Sequence, residues 1–257
     1  MTTWQSLYLP CAAKVVAETL HAALGRHGYA AFNPFGLLPG KTYPQAVRVF
    51  VAPARAGWTR IIGGVDRLIL PELSLAAPCL LVALDGAEAC IEAYAEGESA
   101  APEIALMTYA HEHDCIHLAL EGTHTRTHTP SLGGVALDAL PSDIQAMAAK
   151  LDPKQAETLF ARISGTIAQK SGTDPAAAEM LRQPDWNSAG GARISALMEC
   201  LRIPEWRTPD FVTLRDAYAL HKRRERSPNA TLYPGDAEAL AAVPNALDYT
   251  PVYAGKA

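Results

Sequence analysis

The chain has 257 residues, 49% apolar and 19% charged, with a formal charge of −5. That length and composition support a sizeable buried core and exclude a disordered chain. The negative charge disfavours nucleic acid or an acidic membrane as a partner of the whole molecule, so such binding would need a local basic patch.

The N-terminus, MTTWQSLYLPCAAK, has no basic leader-like region, and Pro10 breaks its apolar run. No segment approaches the length of a membrane span, so a soluble cytoplasmic protein with no membrane partner is expected. The five cysteines, Cys11, Cys79, Cys90, Cys115 and Cys200, are scattered and form no C-x-x-C. Reduced thiols are therefore expected rather than a disulfide framework. In that setting the sequon at Asn229 carries no meaning.

SLYL is a short strand, followed by a helix over CAAKVVAETLHAALGRHG, in which Val16, Leu20 and Leu24 recur along one face and Gly25 and Gly28 offer stops. Residues 33–46 are loop by their Pro and Gly content. In VRVFVA the residues Val47, Val49 and Val51 share one side of a strand, and GWTRII is its hairpin partner. DRLILPELSLAA predicts a short helix capped by Asp66, and CLLVAL and ACIEAYAEG two further strands. This order of elements resembles a ferredoxin-like, split β-α-β antiparallel sheet domain over residues 1–135, which says nothing about function.

From residue 141 to 257 the pattern predicts helices and no strand. DPKQAETLFARISGTIAQKSG opens on Asp152 and Pro153, with Ala156, Leu159, Phe160, Ile163 and Ile167 as its stripe. DPAAAEMLRQ and GARISALMECL follow, and then TPDFVTLRDAYALHKRRER, with Thr208 and Pro209 as its cap pair and Phe211, Leu214 and Tyr218 as its buried face. A short helix after Asp236 leads to an extended tail carrying Tyr249 and Tyr253. The tail is expected to wrap over its own domain, with docking on a partner subunit of a homo-oligomer as the alternative. The fold class is thus α+β, a sheet domain followed by a mainly helical region.

Several motifs fail on inspection. GLLPGKT lacks the first Walker glycine, since Phe35 stands there, and Pro44 falls where the phosphate-binding helix would run. No G-x-S-x-G, H-E-x-x-H or G-x-G-x-x-G is present. The basic run 221–226 suits a helix C-terminus, and the long RIPEWR connection is unlike a helix-turn-helix, so nucleic-acid binding through that helix end is the weakest alternative.

The segment YAHEHDCIHLALEGTHTRTHTP, residues 109–130, holds five of the eight histidines. With Glu121-Gly122 as a two-residue turn it predicts a β-hairpin in which Cys115 faces His128 and His117 faces Arg126. One face then carries the imidazoles and the thiol, and the other Ile116, Leu118, Leu120 and threonines. His113, Cys115, His117 and His128 are the candidate zinc ligands, being of the types zinc prefers. Arg126 opposes a dication there, and His117, His124 and Arg126 are instead candidates for holding an acidic ligand.

No complete catalytic constellation can be assembled along the chain. The leading expectation is a non-catalytic cytoplasmic protein that binds a small molecule or a protein partner. A zinc-dependent hydrolase using the hairpin 111–128 is the alternative.

Overall fold

The structure, a computed structural model, describes residues 4–35, 43–112, 114–121, 184–229 and 231–256. Its frame is an eight-stranded sheet in the order β2-β8-β3-β4-β1-β5-β6-β7, with every adjacent pair antiparallel. The strands are β1 (Trp4–Leu9), β2 (Ala30–Ala31), β3 (Gln45–Val51), β4 (Thr59–Ile62), β5 (Cys79–Asp85), β6 (Glu88–Ala95), β7 (Glu98–Ala100) and β8 (Thr250–Lys256). The described helices are α1 (Ala13–Arg26), α2 (Leu70–Ser74), α3 (Pro102–Ala105), α4 (Cys115–Glu121), α5 (Ala189–Cys200), α6 (Phe211–Arg226) and α7 (Asp236–Ala242).

Period-2 alternation sends successive side chains to opposite faces and builds a layer on each side of the sheet. Leu7 and Leu9 of β1, Val47, Val49 and Val51 of β3, and Leu81 of β5 point to one face. There Val16, Leu20 and Leu24 of α1 and Leu70 and Leu73 of α2 cover them. Asp66 accepts from the Leu68 N–H at 3.0 Å and starts the turn into α2.

On the other face Tyr8, Leu80, Val82 and Leu84 pack against Ile194, Leu197 and Met198 of α5. Phe50, Ile62 and Tyr253 meet Leu214 and Tyr218 of α6. α6 opens on Asp210, whose carboxylate accepts from the Thr213 N–H at 2.9 Å, in place of the Thr208-Pro209 pair.

Two expectations are corrected. The chain beyond residue 141 does contain a strand: β8 sits inside the sheet, paired along its whole length with β3 from Gln45↔Lys256 to Val51↔Thr250. The tail becomes a strand because Val252 and Ala254 face one hydrophobic layer while Tyr253 faces the other.

Second, residues 115–121 of the expected hairpin are helical. Cys115, Ile116 and Ala119 fall on one turn of α4 and are buried, whereas Leu118 is 43% exposed. That is a helical period, and Leu, Ala and Glu are good helix formers. The predicted helix over 152–172 and the segment DPAAAEMLRQ lie outside the described residues.

Candidate metal centre

The hairpin's rejection removes the cross-strand pairs, but Cys115 acquires other neighbours. The Sγ atoms of Cys115 and Cys200 and one ring nitrogen of His111 all lie within 4.8 Å of one another. Packing explains the meeting. Ile116 and Ala119 hold α4 in the layer built by α5, and Cys200 is the last residue of α5, so two short helical elements bring the sulfurs together.

The sulfurs are joined as a disulfide whose Cα atoms are 5.8 Å apart, across 85 residues of sequence. The expectation that all five thiols are reduced is therefore corrected for this pair, while Cys11, Cys79 and Cys90 are free. The two half-cystines are 6% and 3% exposed, so the bond is shielded from water.

His111 is fixed by the end of α5. Its backbone N–H donates to the Cys200 carbonyl at 3.2 Å, and its Nδ1 lies 2.6 Å from the same oxygen. Carbonyls of a final helical turn have no partner inside the helix, and both donors from His111 serve that need. A carbonyl can only accept, so Nδ1 carries the proton and the lone pair of the neutral ring falls on Nε2. Nε2 also lies 3.5 Å from a Glu112 carboxylate oxygen.

A cavity of about 250 Å³ opens beside His111, lined by Glu103, Glu112, Asp114 and His117 among others.

Of the two sequence-predicted ligands among the described residues, Cys115 and His117, the structure brings Cys115 into the cluster. His117 stands half-exposed on α4, paired with Glu121 at 3.1 Å one turn away. His113, His124, Arg126 and His128 lie outside the described residues, so the proposed anion-binding set is represented by His117 alone. His111 and Cys200 were not among the predicted ligands. The available signal was a second cysteine closing the ALMEC helix, which sequence spacing alone does not connect to Cys115.

In the basic run, Lys222 pairs with Glu225 at 2.8 Å and Arg223 with Asp236 at 3.4 Å, while Arg226 donates to the Phe35 carbonyl. Much of that charge is engaged within the chain.

Among the described residues no helix is long and apolar enough to cross a membrane. Comparison of the chain with protein-family models, curated proteins and solved structures finds no match.

Proposed function

We propose that the protein is a non-catalytic binding protein whose α4–α5 junction is a zinc site governed by thiol–disulfide exchange. The observation that carries this reading is the convergence of His111, Cys115 and Cys200 within 4.8 Å. Thiolate and imidazole are zinc's preferred donors, and three protein ligands leave a fourth position for water. Tetrahedral zinc with bonds of about 2.3 Å to sulfur needs its two sulfurs roughly 3.8 Å apart. Side-chain rotation supplies that separation across Cα atoms 5.8 Å apart.

In the oxidised state the two sulfurs are bonded to each other and neither is a thiolate, the form in which cysteine binds zinc. Two electrons and two protons from a dithiol reductant convert the disulfide to two thiols, and the reductant leaves as its own disulfide. Zn²⁺ then displaces the two thiol protons and binds the thiolates with His111. A cytoplasmic location, where dithiol reductants keep thiols reduced, is part of the proposal.

β1, α1, β3, β4, α2 and β5 follow the split β-α-β sequence of elements, and the central order β3-β4-β1-β5 with α1 and α2 on one face supports a ferredoxin-like core.

The test is zinc content of untagged full-length protein reduced with a phosphine, beside the oxidised protein. We expect one zinc per chain when reduced and none when oxidised, with loss of zinc in Cys115→Ser, Cys200→Ser and His111→Ala. Substoichiometric zinc in the fully reduced protein overturns the reading.

A further inference from the structure

A second site lies where the RIPEWR connection crosses the sheet, and it stands independently of the zinc reading. A cavity of about 30 Å³ is lined there by Arg60 of β4, Tyr249, Trp58 and Ile203 among others. Arg55 and Glu205 also line it, but they pair with each other at 3.1 Å and are 48% and 60% exposed, so they belong to its solvent side.

Arg60 carries a permanent charge into this place, and its bonding partners do not cancel it. The residue is 7% exposed. Its hydrogen bonds go to Ser6 Oγ and to the carbonyls of Glu205, Arg207 and Thr208. Those acceptors are neutral dipoles, which satisfy N–H groups but supply no counter-ion. Arginine is seldom fully buried without an opposite charge. Asp210 acts on the guanidinium only from a distance, since its two oxygens are held by the N–H and the hydroxyl of Thr213.

Two donors are left unspent. A guanidinium has five N–H groups. The bonds of Arg60 use the one on Nε, both on Nη1 and one on Nη2, so the second Nη2 hydrogen has no acceptor among the described residues. The other donor is Tyr249, a residue 7% exposed whose hydroxyl makes no hydrogen bond among the described residues and, unlike that of Tyr253, is not sealed from the cavity. Burial raises the pKa of this phenol while Arg60 and Arg55 pull it down, so its oxygen lies within the field of both guanidiniums and keeps its proton.

We propose that this cavity binds a small monovalent anion of the halide class, chloride first, as the counter-ion of Arg60. Size sets one limit: a single water needs about 10–15 Å³, so the cavity has room for a monatomic ion and excludes phosphate or sulfate. Donor geometry sets the other. A carboxylate would take two parallel N–H groups from the guanidinium, and that fork is already given to carbonyls. Chloride accepts single donors from separate directions, here one N–H from Arg60 and the O–H of Tyr249. Trp58 and Ile203, both buried, wall the ion from water and so strengthen its attraction to the guanidinium.

Titration of the full chain with chloride against gluconate, an anion too large for the cavity, at a constant ionic strength of about 0.5 M tests this. We expect the urea midpoint to stay level in gluconate and to climb with the logarithm of chloride above a dissociation constant of about 10 mM, with bromide acting as chloride does. Tyr249→Phe, which keeps the ring and loses only the donor, moves the onset about tenfold higher in chloride. Arg60→Leu abolishes the response. Should Arg60→Leu fail to fold, Tyr249→Phe and the broadening of the chlorine NMR line by the parent protein, relieved by bromide, decide the matter. The proposal is overturned if chloride and gluconate give the same midpoints, if folded Arg60→Leu keeps the chloride response, or if Tyr249→Phe leaves its onset in place.

Discussion

Arg60 shows how one side chain can hold a whole connection. It is 7% exposed and has no carboxylate within bonding distance among the described residues. Instead its guanidinium donates to Ser6 Oγ at 2.9 Å and to the carbonyls of Glu205, Thr208 and Arg207 at 3.4, 3.0 and 3.4 Å. Tyr8 donates to the Trp206 carbonyl at 2.6 Å, and Trp4 to that of Arg207 at 3.2 Å. Four consecutive carbonyls, 205–208, are thereby tied to the sheet. Burial pulls the Arg60 guanidinium below its usual pKa, partly offset by Tyr8, Tyr249 and Asp210, yet the group remains the donor that satisfies this turn. Arg60→Leu leaves the Glu205 and Thr208 carbonyls unmet and should cost about 2–4 kcal/mol in urea unfolding. Arg60→Lys should recover little of it, because a single ammonium cannot reproduce the fork. Equal urea midpoints for Arg60→Leu and the parent would refute this account. The long RIPEWR connection, legible in the sequence only as unlike a DNA-binding turn, exists to meet these sheet side chains.

At the scale of elements, local pattern decides some cases and misleads in others. CIEAYAEG at 90–97 and CIHLALEG at 115–122 share their ends, yet the first runs through β6 to its turn while residues 115–121 of the second form α4. Tyr94 favours a strand where Ala119, a strong helix former, stands in the copy. The two-residue Glu-Gly turn expected after α4's residues occurs instead at Glu96 and Gly97, both at positive φ, joining β6 to β7. The amphipathic helices α1 and α6 and the β3–β4 hairpin were legible because their signal is local.

Glycine-rich starts are subtler. At Gly190 a Cβ would lie on the Ala87 carbonyl oxygen and 2.8 Å from the Ala89 nitrogen, so this glycine lets α5 seat against the β5–β6 turn. Gly25, inside the last turn of α1, faces open space. Gly190→Ala should therefore destabilise by about 1–3 kcal/mol, while Gly25→Ala stabilises by about 0.5–1 kcal/mol. Paired thermal melts decide it, and the same sign for both would contradict the close-approach argument.

For the whole molecule, the least legible features are those made by residues far apart in sequence. β8 pairs with β3, and Cys200 bonds to Cys115, and neither partnership leaves a trace in local propensity. The same long-range burial sets the response to alkali. Tyr8 is pushed up to about 12 by burial, against smaller lowering effects of Arg60 and Ser6. Tyr253 is likewise pushed to about 12, and the Cys79 thiol from 9.0 to about 12, both chiefly by burial. Each folded pKa lies above its unfolded value, so the stability linked to these groups is fully present below about pH 9 and is lost as pH rises toward 12. Each group contributes at most about 1.4 kcal/mol per pH unit, so above pH 10 the three together remove up to about 4 kcal/mol per unit. A total stability of about 5–15 kcal/mol does not survive two such units with much margin. The urea midpoint should hold from pH 7 to 9, fall visibly by pH 10, and collapse before about pH 12. Tyr8→Phe lowers the midpoint at neutral pH, because the Trp206 carbonyl loses its donor, yet makes the alkaline fall shallower by about a third. A midpoint that stays level through pH 11, or a Tyr8→Phe slope as steep as the parent's, would show that buried phenol and thiol groups are not what alkali attacks.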